Sequence, residues 1–438
     1  MQARITGALA AAITAGLAGL WAGSASAQGE MNWPTLVYRT GAYAPNGIPF
    51  ANGQADYVAL VNERDGGING VKLAYEECET GYATDRGVEC YERLKGKLGG
   101  AVAFSPLSTG ITFALTEKVP GDKIPLLTAG YGRSESADGR VFTWNFPLLG
   151  TYWSAADILI QHVTKVSGGA DKMKGKKITL VYHDSPYGKE PIPVLQDHAA
   201  KLGYKFEAIP VTHPGVEQKA AWLQIRQGRP DFVFLWGWGV MNSTAIKEAV
   251  AVNYPRNKMY GVWWAAAEPD VMPTGDDAKG YNGLALHPSG TAFQVHTEVF
   301  KHLYDRGKGT SKREEVGHVL YNRGLIDAML KVEAIRTAMK QYGNKPMTGE
   351  QVRWGLENLN LTAERIKEIG FDGLVTPIKV SCLDHEGSRK ARVHQWDGKH
   401  WNFVSDWIEA DTKYLRPKVE AAAAAYSAEK KIAPRSCS

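Results

Sequence analysis

Four tryptophans, Trp236, Trp238, Trp263 and Trp264, stand at or just beyond the ends of two β-rich runs, 231–236 and 258–262. Indoles gathered at strand ends make an apolar wall able to stack on a flat ligand, although each ring could equally pack in the core. Acid–base and nucleophilic chemistry leave less trace. His183-Asp184 follows another strand-like run and has the composition of an acid–base pair, but an Asp ahead of Ser185-Pro186 is a common turn former, which makes the pair a loop. The chain contains no G-x-S-x-G elbow, no G-x-x-x-x-G-K-[ST] loop and no H-E-x-x-H helix. Gly130-Tyr131-Gly132 and Gly237-Trp238-Gly239 start like a dinucleotide fingerprint and lack its third glycine, so they read as tight turns. These residues predict no catalytic group, no cofactor and no metal site, and hence a binding protein, not an enzyme.

Cysteine usage agrees with export. Residues 5–23 form an uncharged Ala/Leu/Ile/Gly run behind Arg4, and Ala25-Ser26-Ala27 is a small-x-small cleavage pattern, so 1–27 reads as a signal peptide cut after Ala27. The four cysteines, Cys78, Cys90, Cys382 and Cys437, then sit in an oxidising compartment, which favours disulfides. Three connectivities are open. Pairing Cys78 with Cys90 fastens a helix to a strand and leaves Cys382 to pin the C-terminal tail through Cys437. With 51 Lys and Arg against 46 Asp and Glu the formal charge is +5, or +4 without Arg4, and the signs are interspersed. Nothing in that distribution suits a nucleic acid. The expected location is the periplasm.

Removing 27 of 438 residues leaves 411, too many for one hydrophobic core. Short β-rich runs at 35–38, 71–75, 101–104, 125–128, 178–182, 205–209, 231–236, 258–262 and 283–286 alternate with amphipathic stretches at 50–63, 109–118, 152–166, 188–202 and 243–252. That alternation predicts two α/β lobes with parallel sheets wrapped by crossover helices. Beyond residue 290 the chain turns helical, at 292–304, 316–342 and 348–359. It then ends in strand-like 377–380, a hairpin about Asp397-Gly398 and a closing helix over 416–431.

Several turns, in order, resemble the periplasmic substrate-binding proteins of the branched-chain amino acid-type ABC transporter family. They are Thr40-Gly41, Asn62-Glu63-Arg64-Asp65-Gly66-Gly67-Ile68-Asn69-Gly70, Pro106-Leu107-Ser108-Thr109, Ile124-Pro125-Leu126-Leu127-Thr128-Ala129-Gly130, Asp184-Ser185-Pro186-Tyr187-Gly188, Pro230-Asp231-Phe232-Val233-Phe234 and Gly373-Leu374-Val375-Thr376-Pro377-Ile378. The resemblance implies a type I periplasmic binding fold, a flytrap of two doubly wound lobes joined by three crossovers near 146–151, 286–290 and 385–394. Residues 28–147 with 288–386 would form the N-terminal lobe, and 148–287 with 387–438 the C-terminal one. It also implies a monomer that delivers a small molecule to the permease subunits of an ABC transporter in the inner membrane.

Carried over position by position, Ser108 and Thr109 resemble the paired hydroxyls that hold a ligand carboxylate at a helix N-terminus; Thr109 also suits a plain cap of that helix. Gly130 and Tyr131 match the next binding loop and Tyr187 an aromatic of the second lobe, while Trp236 and Trp238 fall in the loop after 231–234. Tyr43, in the loop after the first strand, is expected to close over the ligand. The informative departure is at Trp263 and Trp264, where amino-acid binders of the family keep a carboxylate for the ligand ammonium; Glu268 replaces it only if the loop bends back. The expected ligand is therefore a small aromatic or apolar carboxylate. A branched-chain amino acid or short amide is the alternative within the class, and an exported enzyme or a sensory module the alternative outside it.

Overall fold

The computed structural model describes residues 29–437; the expected signal peptide, 1–27, lies outside them. Strand β1 (Glu30–Val37) pairs in parallel with β2 (Lys72–Glu79). Single bridges, Asn32 to Ala101 and Phe104 to Leu126, carry the layer across to β3 (Leu126–Leu127), which pairs in parallel with β4 (Asn145–Phe146). The run 101–104, expected as a strand, thus contributes bridges only.

A second, larger sheet uses β5 (Lys177–His183), β6 (Lys205–Val211), β7 (Phe232–Trp236), β8 (Met259–Gly261) and β9 (Asn282–Ala285), parallel in the order β6-β5-β7-β8-β9. Central β7 reads Phe-Val-Phe-Leu-Trp, apolar at every position because helices cover both faces of a parallel sheet. A minor antiparallel pair, β10 (Asn360–Leu361) with β11 (Ile378–Lys379), follows a helical region. The chain then returns to the large sheet, where β12 (Lys390–Trp396) runs antiparallel to β9 and to β13 (Trp401–Phe403), and β14 (Ile408–Glu409) adds to β12. The Asp397-Gly398 turn closes the β12–β13 hairpin as its sequence predicts.

The protein is therefore a mixed α/β molecule with a first layer of two parallel pairs joined by bridges and a second, larger and mainly parallel sheet, and the chain passes between the two layers after β4, after β9 and between β11 and β12. Helix Val319–Tyr342 comes back from the second sheet to pack on helix Ala44–Asp65 of the first. Two glycines set that contact. A Cβ on Gly53 would meet the Tyr321 carbonyl at 2.0 Å, and one on Gly324 the Phe50 carbonyl at 2.1 Å, so the backbones touch where no larger residue fits.

Three expectations need correction. The helix predicted over 188–202 is two, Pro186–Lys189 and Ile192–Leu202, divided at Pro191, which has no N–H to continue the ladder. Ser108, not Thr109, caps helix Thr109–Thr116, its Oγ accepting from the Ile111 N–H at 3.3 Å. The C-terminal helix Thr412–Lys430, placed with the second lobe by its sequence position, begins on helix Ile192–Leu202 through Lys418 and Asp197 but ends against the first lobe. There the Tyr426 ring stacks on Phe142 at 4.7 Å and Lys430 pairs with Glu117 at 2.7 Å. Disulfides Cys78–Cys90 and Cys382–Cys437 are both formed; the first joins β2 to helix Thr84–Leu94, and the second fastens the tail.

Candidate functional site

The carboxyl ends of both sheets face one another, the place where open α/β sheets bind ligands. Tyr38 follows β1, Tyr82 follows β2, Tyr131 follows β3, and Tyr187 follows β5, while Tyr152 opens the helix that crosses to the second lobe. Trp238 and Trp264 enter from the loops after β7 and β8. With Leu107, Ser108 and Thr109 these seven rings line a narrow cleft with a free volume of about 20 Å³.

The polar groups of the wall are partly committed. Trp238 Nε1 donates to the Tyr38 hydroxyl at 2.9 Å, leaving the Tyr38 proton free. Tyr187 donates to the Gly237 carbonyl at 2.9 Å. Tyr131 accepts from the Leu107 N–H at 2.8 Å and donates to the Leu127 carbonyl at 3.3 Å. The Tyr82 and Tyr152 hydroxyls lie beside those of Ser108 and Thr109. Burial pushes the phenols of Tyr38, Tyr82, Tyr131, Tyr152 and Tyr187 up, so all five stay neutral. Neither a carboxylate nor a cationic side chain is among the lining residues. Donors at the start of helix Thr109–Thr116, added to its dipole, make this end of the cavity suitable for an anion.

Of the residues singled out by sequence, Ser108, Thr109, Tyr131, Tyr187, Trp238 and Trp264 meet on this wall. Gly130 lies behind it, its carbonyl accepting from Trp263 Nε1 at 2.5 Å and Trp264 Nε1 at 2.6 Å. Trp263 and Trp236 are fully buried one layer back, their rings 6.5 and 6.0 Å from that of Tyr152. Tyr43 turns its hydroxyl to His183 Nε2 at 2.7 Å and packs its ring 4.4 Å from Tyr82. His183, expected in a loop, is the last residue of β5; it also reaches the Ser185 Oγ at 2.8 Å, and burial lowers its pKa to about 4, so it is neutral and structural. Glu268 does not reach the cavity. Its carboxylate accepts from the Val319 N–H at 2.9 Å, at the N-terminus of helix Val319–Tyr342, and burial raises its pKa to about 7.

Tyr38, Tyr82 and Tyr152 escaped the sequence reading, although position alone, one to three residues past a strand or opening a crossover helix, singles them out. Arg323 escaped it too. It is fully buried, donates to the Trp263 carbonyl at 2.5 Å and lies 4.6 Å from the Trp264 ring centroid, and its Nη2 has no partner. Burial lowers its pKa to about 9, while nearby Tyr152, Asp270 and Glu268 oppose that shift. Asp270, raised by burial to about 6, accepts from Asn46 at 3.0 Å and Asn242 at 2.8 Å, linking helix Ala44–Asp65 to the second lobe.

Comparison with known proteins gives the same picture. Residues 34–400 match the family model described as periplasmic binding protein. A solved structure from the Pseudomonas fluorescens group, described as an ABC transporter permease, is 44% identical over 94% of this chain and 100% of its own, with a TM-score of 0.86. A branched-chain amino acid ABC transporter protein from Thermus thermophilus with bound valine is 19% identical, covers 89% of this chain and 100% of its own, and superposes with a TM-score of 0.75. An ABC transporter solute-binding protein from R. palustris in complex with benzoate is 15% identical, with coverage of 88% and 98% and a TM-score of 0.65. The last two share the fold. No curated protein sequence matches the chain. Among the described residues no helix is long and apolar enough to cross a membrane.

Proposed function

Because this chain belongs to the periplasmic binding protein family, we propose that it captures a small apolar carboxylate, aromatic by preference, and delivers it to the permease subunits of an ABC importer. It is a binding protein, not an enzyme, as its family is. The observation that carries the ligand class is the wall itself: aromatic rings around Ser108 and Thr109, with no carboxylate lining the space to meet an ammonium. Rings bury an apolar tail, and hydroxyl and backbone donors at a helix N-terminus hold the acid group. The R. palustris protein of the same fold is described in complex with benzoate, which agrees with this reading; the T. thermophilus protein is described with valine, which favours the branched-chain amino acid alternative.

In this proposal 1–27 is a signal peptide removed after Ala27, and the mature protein works in the periplasm as a monomer. The lobes divide at 28–147 with 288–386 and 148–287 with 387–438, except that the end of the last helix and the tail beyond it lie on the first lobe, and they close over the ligand. Native mass spectrometry of the protein purified from its periplasm tests the reading: a bound mass matching an aromatic acid and an N-terminus at Gln28 are expected. A bound amino acid overturns the ligand class. An uncut N-terminus overturns the export step.

A further inference from the structure

Tyr43 and His183 come from opposite lobes, from the loop after β1 and the end of β5, and their hydroxyl and Nε2 lie 2.7 Å apart. Burial keeps His183 neutral. A neutral imidazole has one donor and one acceptor nitrogen, and the hydroxyls of Tyr43 and Ser185, at 2.7 and 2.8 Å, satisfy both. Tyr43 is 2% exposed, and two further loops of the second lobe hold it. Its ring lies 4.9 Å from that of His213, which follows β6, and Gly239, which follows β7, packs so closely that a Cβ there would meet Tyr43 Cδ1 at 2.7 Å. Beside it the Val240 N–H donates to the Ala42 carbonyl at 3.1 Å. Tyr43 is not on the cleft wall; it backs Tyr82, which is, with the two ring centroids 4.4 Å apart.

The cleft has a free volume of about 20 Å³, room for about one water, so an organic acid enters only when the lobes part. We propose that the Tyr43–His183 hydrogen bond is the latch of the cleft: it breaks as the lobes part to admit a ligand and re-forms to retain it, with Tyr43 holding Tyr82 against the ligand. The two are positioning residues that act through lobe closure and leave the choice of ligand to the wall. This rests on the proposed capture of a small molecule between closing lobes and gives its retention a mechanism. Both partners are neutral, so the latch avoids the desolvation cost of a buried ion pair. A neutral hydrogen bond also has a modest net strength, which suits a contact that opens and closes in every cycle.

The test measures the association and dissociation rates of phenylacetate and of valine by stopped-flow tryptophan fluorescence, on the mature protein, on Tyr43→Phe, on His183→Phe and on the double variant. Each single change keeps a ring and removes one partner of the bond. Dissociation should be about twofold to tenfold faster in each single variant, the scale of one neutral hydrogen bond, with association no slower. The double variant should release ligand no faster than the faster single one, because both changes remove the same bond. Unchanged dissociation or additive effects overturn the latch. A protein that takes valine and not phenylacetate overturns the carboxylate reading alone, and the same cycle with valine still decides the latch. A protein that takes neither overturns the ligand class, and small-angle scattering then decides the latch: a larger radius of gyration in both variants supports it, and an unchanged radius overturns it. Should His183→Phe fail to fold, Tyr43→Phe, which loses a single oxygen atom, carries the same comparison of dissociation rates.

Discussion

The Arg323 guanidinium lies 4.6 Å from the centroid of the Trp264 ring, and both groups are buried. Arg323 belongs to a helix that packs on the first sheet, Trp264 to a loop at the end of β8 in the second, so the contact joins the lobes directly behind the cavity. Glu268 at a helix N-terminus and Asp270 between Asn46 and Asn242 make parallel links. The segment from Trp263 to Asp270 is thus clasped by first-lobe groups along its length.

Ser108→Ala with Thr109→Ala should weaken benzoate-like acids by several kcal/mol at most, since a hydrogen bond to a charged group contributes about 1.5–3 kcal/mol. The fold should persist, because losing the Ser108 cap costs about 1 kcal/mol. Calorimetry checks the first statement and circular dichroism the second; unchanged affinity in a folded variant removes these hydroxyls from the site.

Replacing Cys382 and Cys437 by Ser should lower stability by about 2–4 kcal/mol, because the bridge closes a long loop and its cysteines are 55 residues apart. Chemical denaturation measures the loss. Non-reducing peptide mapping should recover Cys78–Cys90 and Cys382–Cys437 and find no free thiol.

The contribution of Glu268 to stability should fall as pH rises from about 4.5 to 7. Burial raises its pKa from 4.5 to about 7, so the folded state holds a proton that the unfolded chain has released. The contribution is complete below the unfolded value and is lost as pH rises through about 7; a shift of this size corresponds to a few kcal/mol. Asp270, at about 6, acts in the same sense at slightly lower pH. His183, lowered to about 4, acts oppositely, costing stability as pH falls below the unfolded histidine value. Melting curves should therefore show a smaller pH-dependent loss in Glu268→Gln than in the wild type between about pH 4.5 and 7, and identical slopes contradict the assignment.

How much of this was legible in the sequence depends on the range of the interaction. The second sheet was readable strand by strand because runs such as 231–236 are apolar throughout and punctuated by turn residues, a local signal. The 101–104 run deceived because strand character does not reveal whether its neighbours will pair fully with it. Trp238 and Trp264 were found from their places past strand ends; Trp236, expected in the loop after 231–234, is the last residue of β7, and Trp263 in the loop after β8 is fully buried, which local pattern cannot settle. Arg323 sits within a helix of mixed composition that is buried along most of its length, and its partner, a loop carbonyl sixty residues earlier, is invisible to any local pattern.

The last prediction concerns the ligand. In a thermal-shift panel of benzoate-like and phenylpropenoid acids against leucine, isoleucine and valine, the aromatic acids should raise the melting temperature and the amino acids should not. A ligand at about a hundred times its dissociation constant stabilises by about 2.7 kcal/mol, ample for detection. An ammonium without a counter-charge in this cavity loses its hydration uncompensated, and a penalty of a few kcal/mol lowers affinity on the order of a hundredfold or more. Glu268 provides no counter-charge from where it stands, turned to the Val319 N–H and raised to about 7 by burial. A shift with valine or leucine and none with any aromatic acid means that Glu268 or Asp270 swings to the ligand on binding, and the carboxylate reading then gives way to an amino-acid receptor.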